Sequence, residues 1–251
     1  MRAVLGILVI VGTFLVALRY LTMDFSGYLN IYAAILLAGL PLGVVILSYR
    51  GSALANAFRG ALESLRFRPE EERLRLGELV LSFGREVRRG QAGRASAILE
   101  KAENGTLRSL GRRVLEGQGR EALEAHARIQ VERSLAKRRD AESVLVTLGE
   151  TAPAVGMIGT VIGLIQLLAN MRDFEKLGSG MAIALLTTFY GLILAHLFYL
   201  PLARLVAQQA ARHAENMQLV LDGLIRVAER RPLHELQEVV GVESSSLDAA
   251  A

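Results

Sequence analysis

Residues 152–171 read APAVGMIGTVIGLIQLLANM. No charged side chain interrupts the run, and its only polar side chains are Thr160, Gln166 and Asn170. About 20 predominantly apolar residues cross a hydrocarbon core of about 30 Å as an α-helix. In lipid each backbone N–H and C=O needs an internal partner, and a single helix supplies one. Three more stretches read the same way: Ala3–Leu21, Leu29–Tyr49 and Met181–Val206. The expected fold is an all-α integral membrane protein with spans at 3–21, 29–49, 152–171 and 181–206, paired into two hairpins. Arg2 gives the first run the look of a signal peptide. No small-x-small cleavage site follows and a second apolar run begins at once, so it is read as a retained span.

The composition agrees with that segregation. Hydrophobic residues are 52% of the 251 and charged residues 22%, with a mean hydropathy of +0.35. Such a pair of values arises when apolar runs alternate with charged stretches. The absence of cysteine excludes a disulfide framework, a cysteine zinc site and a thiol nucleophile. His126, His196, His213 and His234 have no metal-ligand spacing, and no nucleophile–base pair or phosphate-binding glycine loop is present, so neither an enzyme nor a metal site is expected. A net charge of +4 is too small to suggest nucleic acid.

The charge instead gives orientation. Between Arg50 and Leu145 there are 20 Lys and Arg against 14 Asp and Glu. Arg50, Arg59, Arg66 and Arg68 follow the second span, and Lys137, Arg138 and Arg139 precede the third. Positive residues near membrane ends mark the cytoplasmic side. The expected domains are a first hairpin at 1–49, a helical cytoplasmic domain at 50–145, a second hairpin at 146–207 and a cytoplasmic helix with a disordered tail at 208–251. Both termini are then cytoplasmic, in a bacterial inner membrane. Pro69 followed by Glu70, Glu71 and Glu72 predicts a helix start. Asn104-Gly105 and Gly117-Gln118-Gly119 predict turns, and from Arg120 nothing breaks a helix before Gly149.

No Asp, Glu or Lys lies inside any span. The deep polar groups are Thr160, Gln166 and Asn170 on the third span and Thr187 and Thr188 on the fourth, with His196 read as a packed residue rather than a proton carrier. Ala152, Gly156, Gly159, Thr160 and Gly163 share one side of the third span. Gly180, Ala184, Thr188, Gly191 and Ala195 share one side of the fourth. Such small-residue stripes let helices approach closely. Threonine hydroxyls do not titrate near neutral pH, so a carboxylate that carries an ion must come from a partner chain. Pro153 stands near the start of its span, where a missing N–H costs least; Pro41 and Pro201 are expected to kink their helices.

These residues also carry a resemblance. GETAPAVGMIGTVIGLI at 149–165 and LGSGMAIALLTTFYG at 177–191 resemble the third and fourth spans of the MotA/PomA flagellar stator family, within the MotA/TolQ/ExbB superfamily. The resemblance implies a homopentamer around a MotB-like single-span partner, which bears an intramembrane aspartate and a peptidoglycan-binding domain. It implies that H+ or Na+ flow turns the pentamer against a flagellar rotor protein, with no cofactor. By motif position Thr188 faces the partner aspartate, Thr160 matches a second threonine of sodium-driven relatives, and Thr187 adjoins the same path. Pro153 and Pro201 match the family's conformational prolines. Gly156, Gly159, Gly163, Ala184 and Gly191 are helix-packing positions. Arg88 or Arg89, with Glu100, are the rotor-contact candidates, although their spacing is stretched relative to the family pattern. A TolQ/ExbB-type energiser of an envelope process and a non-conducting scaffold are the alternative readings.

Overall fold

The computed structural model describes residues 2–21, 30–66, 68–169 and 174–240. Among these there is no strand. The helices are α1 (Arg2–Leu21), α2 (Ile31–Ser48), α3 (Gly51–Arg66), α4 (Pro69–Arg88), α5 (Ala92–Lys101), α6 (Gly105–Leu115), α7 (Arg120–Ala169), α8 (Phe174–Ile193), α9 (Leu200–Ala228) and α10 (Leu233–Val240), with a π-helical turn at Leu194–Tyr199 joining α8 to α9. The loop at 22–28, Asn170 and the tail from Glu243 lie outside the described residues.

Local chemistry starts and stops these helices. Asn30 caps α2, its side-chain oxygen accepting from the N–H groups of Tyr32 and Ala33 at 3.0 and 3.1 Å. Asn104 caps α6 in the same way through Thr106 and Leu107. Pro69 opens α4, with Glu70, Glu71 and Glu72 in its first turn and Arg85 and Arg88 in its last. That order of charges complements the helix dipole.

Three helices end in the same paired-bond motif, in which a left-handed residue turns the chain back on the last carbonyls. Gly90 (φ 72°) does this after α4 and Gly117 (φ 76°) after α6. After α9 the position is held by Arg230 (φ 55°), whose N–H donates to the Val227 carbonyl while that of Arg231 donates to Arg226. A side chain there crowds its own carbonyl at a cost of about 1 kcal/mol. Arg230→Gly is therefore expected to stabilise the chain by about 1 kcal/mol. The check is the thermal unfolding midpoint of the purified protein in detergent, which should rise.

The chain forms two compact units. The first comprises residues 1–66 and 138–208. In it α2 buries Ala33, Leu37, Pro41 and Val45, four residues apart and so on one face. The Asn30 N–H donates to the Tyr190 hydroxyl at 3.3 Å. Ala57 and Ala61 of α3 pack in one cluster with Val144, Leu145, Leu148, Ala203 and Val206. The second unit comprises 67–137 and 209–251. Its core joins Val80, Leu81 and Phe83 of α4 to Leu99, Leu107 and Leu110, and to Val220, Leu224 and Leu236.

These units divide the chain elsewhere than the boundaries 50–145 and 208–251. The small face of α3 finds its partners beside the spans. The amphipathic stretch after Gln209 fills the core under α4.

Of the described helices, Ile31–Ser48, part of Arg120–Ala169 and part of Gly180–Ala228 are long and apolar enough to cross a membrane. The first expected span lies on α1, a 20-residue helix. Large apolar side chains such as Leu47, Ile165 and Leu185 are more than 60% exposed. Faces of this kind need lipid or a partner chain around them.

Candidate functional site

The site is the seam between α7 and α8. On α7 the residues at 149, 152, 156, 159 and 163 alternate in steps of three and four, the spacing that keeps one stripe facing a neighbouring helix. Ala152 is fully buried. At Gly156 a Cβ would stand 2.9 Å from the Thr188 Cα and 3.1 Å from the Thr187 carbonyl oxygen. At Gly159 it would run into the Thr187 side chain, and at Gly163 it would meet the Gly180 carbonyl at 2.7 Å. From the other side, a Cβ on Gly191 would lie 2.6 Å from the Ala152 carbonyl. Ala184 is buried against Gly163. Gly156, Gly159, Gly163, Ala184 and Gly191 line one seam in this geometry. Gly149 extends it, because a Cβ there would meet Leu200 at 2.7 Å. The stripe read from the sequence stops at Ala152; its three-four rhythm, continued one step back, falls on Gly149.

The threonines separate into three environments. Thr187 is fully buried; its hydroxyl lies 2.9 Å from the Ile183 carbonyl, 3.0 Å from Ala184 and 3.3 Å from Gly156. With one proton and three carbonyls around it, it is a packing group. The seam thus passes through Thr187, where the spacing argument had placed Thr188. Thr188 is half-buried at the edge, and its hydroxyl donates across the hairpin to the Gly156 carbonyl at 3.2 Å. Because that proton is committed, the oxygen lone pairs remain for a cation or an acid proton. Thr160 donates to Met157 of its own helix at 2.6 Å rather than across the hairpin.

Both functional-candidate prolines differ from expectation. Pro153 is not in a first turn, because α7 begins at Arg120 and the proline is interior. An interior proline removes the bond to the carbonyl four residues earlier, here Gly149. Pro201 follows the π turn, in which the Leu200 N–H reaches five residues back to the Ala195 carbonyl. His196 lies in this turn, its Nδ1 3.3 Å from the Leu192 carbonyl. Pro41 lies within the continuous helix α2, on its buried face.

The rotor-contact candidates lie in the second unit. Arg88 Nη2 donates to the carbonyls of Arg230, at 2.9 Å, and Arg231. Its guanidinium caps the end of α9. Arg89 is exposed and pairs with Glu86 at 3.3 Å. Glu100 is exposed on α5. Arg88→Ala is expected to destabilise the protein by about 1–2 kcal/mol, since two carbonyls lose a charged donor. Thermal unfolding checks this, and an unchanged midpoint would mean that the cap contributes nothing.

Half-buried His126 also lies in this unit, on α7. Its Nε2 is 3.0 Å from Gln130 Nε2, which donates to Ser109 Oγ at 2.7 Å. Burial first, then Arg113 and Arg133, lowers its pKa. The unfolded chain therefore takes up this proton first, near the ordinary histidine value of about 6.5. Stability is kept above that pH and declines as the pH falls through it toward the depressed folded value. His126→Gln is expected to flatten that part of a stability-versus-pH curve.

Residues 96–219 match the family model described as the MotA/TolQ/ExbB proton channel family. Over that stretch, just under half of its length, the chain is similar to this family. Its matched region takes in the whole α7–α8 seam and both threonines that donate to Gly156. Among curated MotA-type relatives, "Chemotaxis protein PomA" of Vibrio alginolyticus is 25% identical over 201 residues, 80% of this chain and 78% of its own. "Motility protein A" of Borreliella burgdorferi is 30% identical over 129 residues, about half of each chain. In fold the chain resembles the solved C. jejuni MotAB structure, with a TM-score of 0.83 at 16% identity, covering 95% of this chain and 93% of that one.

Proposed function

We propose that this chain is a MotA-like stator subunit of an ion-driven flagellar motor. The observation that carries the reading is the seam: two helices held at backbone contact by glycine, with the Thr188 hydroxyl oxygen at its edge and no carboxylate inside the spans. Such a surface can line a path but cannot itself hold and release a proton. The missing carboxylate belongs to a MotB-like single-span partner with an intramembrane aspartate and a peptidoglycan-binding domain. The likeness in fold to a chain solved in a MotAB structure supports that partner. Relatives named as motility and chemotaxis proteins favour this reading over a TolQ/ExbB-type energiser.

In this reading four spans cross the bacterial inner membrane with both termini in the cytoplasm. Five copies surround the partner, and H+ or Na+ passing by the aspartate turns them. No cofactor takes part. Arg89 and Glu100, exposed on the second unit, meet the flagellar rotor protein; Arg88 supports that surface through its cap. Purification from native membrane in mild detergent, with mass spectrometry of what accompanies the chain, tests the assignment. A single-span protein with an intramembrane aspartate and a peptidoglycan-binding domain is expected. A partner with the aspartate but a short transport-type periplasmic domain would replace the stator by an envelope energiser.

A further inference from the structure

The π turn at Leu194–Tyr199 changes the phase of the fourth span. Before it, the α8 residues at the seam are 180, 184, 187 and 191, in steps of four, three and four. An unbroken helix would continue with 194 or 195, then 198, 202 and 205. Ala195 (fully buried), four residues after Gly191, still fits that face, but the inward residues that follow it are Tyr199 (its Cβ 3.5 Å from a Cβ at Gly149), Ala203 (3% exposed) and Val206 (1% exposed), each one position late. A π turn holds one residue more than the α-helical turn it replaces. The extra residue is absorbed between two tight contacts, Gly191 on Ala152 and Leu200 on Gly149.

Pro201 stands where this wide turn ends. In an α-helix its ring would strike the Leu197 carbonyl, and that carbonyl would have no N–H. In the wide turn the Leu200 N–H goes to Ala195 instead. The proline therefore favours the π form over the α form.

We propose that the π turn is a register switch held open by Pro201. Its exchange with an α turn moves the helix beyond it by one residue, a rotation of about 100° and a shift of about 1.5 Å. In the α register Leu202 and Leu205 take the inward places of Ala203 and Val206. That this exchange is part of the motor cycle rests on the stator reading above; the register itself does not.

The natural chain has no cysteine, so single cysteines at 202, 203, 205 and 206 report the register directly. Alkylation by N-ethylmaleimide is followed in membranes holding the complete complex. In the parent chain, positions 203 and 206 are expected to react at least tenfold more slowly than 202 and 205. In a Pro201→Ala background the order is expected to reverse. Deleting Phe198 in that background removes the extra residue, so protection should return to 203 and 206, now in a helix with no π turn. Ion-driven rotation should be lost in that second variant, because it has one register only. An unchanged alkylation order in Pro201→Ala would overturn the proposal, and so would normal rotation in the deletion variant. Because alkylation reads the register without motility, a chain that drives no flagellum would still decide whether the register moves.

Discussion

Gly156→Val is expected to abolish the α7–α8 hairpin and, with it, assembly of the complex. The added Cβ would meet the Thr188 Cα at 2.9 Å and the Thr187 carbonyl at 3.1 Å. Both are backbone atoms, so no rotamer change can relieve the contact. Overpacking in a well-packed interior costs about 1–3 kcal/mol where side chains can move; here the helices themselves must separate. Separation would also break the Thr188 bond to the Gly156 carbonyl. Without an aqueous core to drive them together, membrane helices depend on this close packing. Gly43→Val is the control, because a Cβ at Gly43 meets nothing within 4 Å. The measurement is the yield of intact complex by size-exclusion chromatography after detergent extraction. Full yield from Gly156→Val would show that the seam tolerates a wider spacing.

Thr188→Val is expected to leave that yield unchanged and to reduce ion-driven rotation at least about tenfold, equivalent to about 1.4 kcal/mol on the limiting step. Valine matches threonine in shape but has no oxygen to offer an ion or an acid proton. The hydroxyl is half-buried at the seam edge, so its loss empties no cavity. Thr188→Ser should retain most of the rotation. Thr187→Val gives the complementary result. That hydroxyl is fully buried among carbonyls of its own hairpin, so its replacement should lower thermal stability while leaving rotation per assembled complex near normal. Rotation measured on tethered cells and normalised to membrane-inserted protein separates the two. If Thr187→Val stops rotation and Thr188→Val does not, the assignment of the two threonines is reversed.

Chemistry that depends on near neighbours was legible in the chain. An uncharged run at 152–171 is long enough to span lipid whatever surrounds it. Pro69 with three glutamates starts a helix, and Gly117 ends one, because those effects act within one turn. The glycines at 156, 159 and 163 announced a close helix contact because a missing side chain permits one in any register.

Other features depend on which residues meet across long separations. Thr187 and Thr188 are adjacent in sequence, and spacing alone put Thr188 on the stripe. Only the phase of α8 against Gly156, 32 residues before Thr188, puts one inside and the other at the edge. Arg88 read as a rotor-contact candidate until the fold brought it to carbonyls 142 and 143 residues away. The π turn left no mark on the apolar run of the fourth span, since one extra residue changes neither its length nor its hydropathy. It is visible only as a change in the face turned to α7, and packing against that neighbour selects the face.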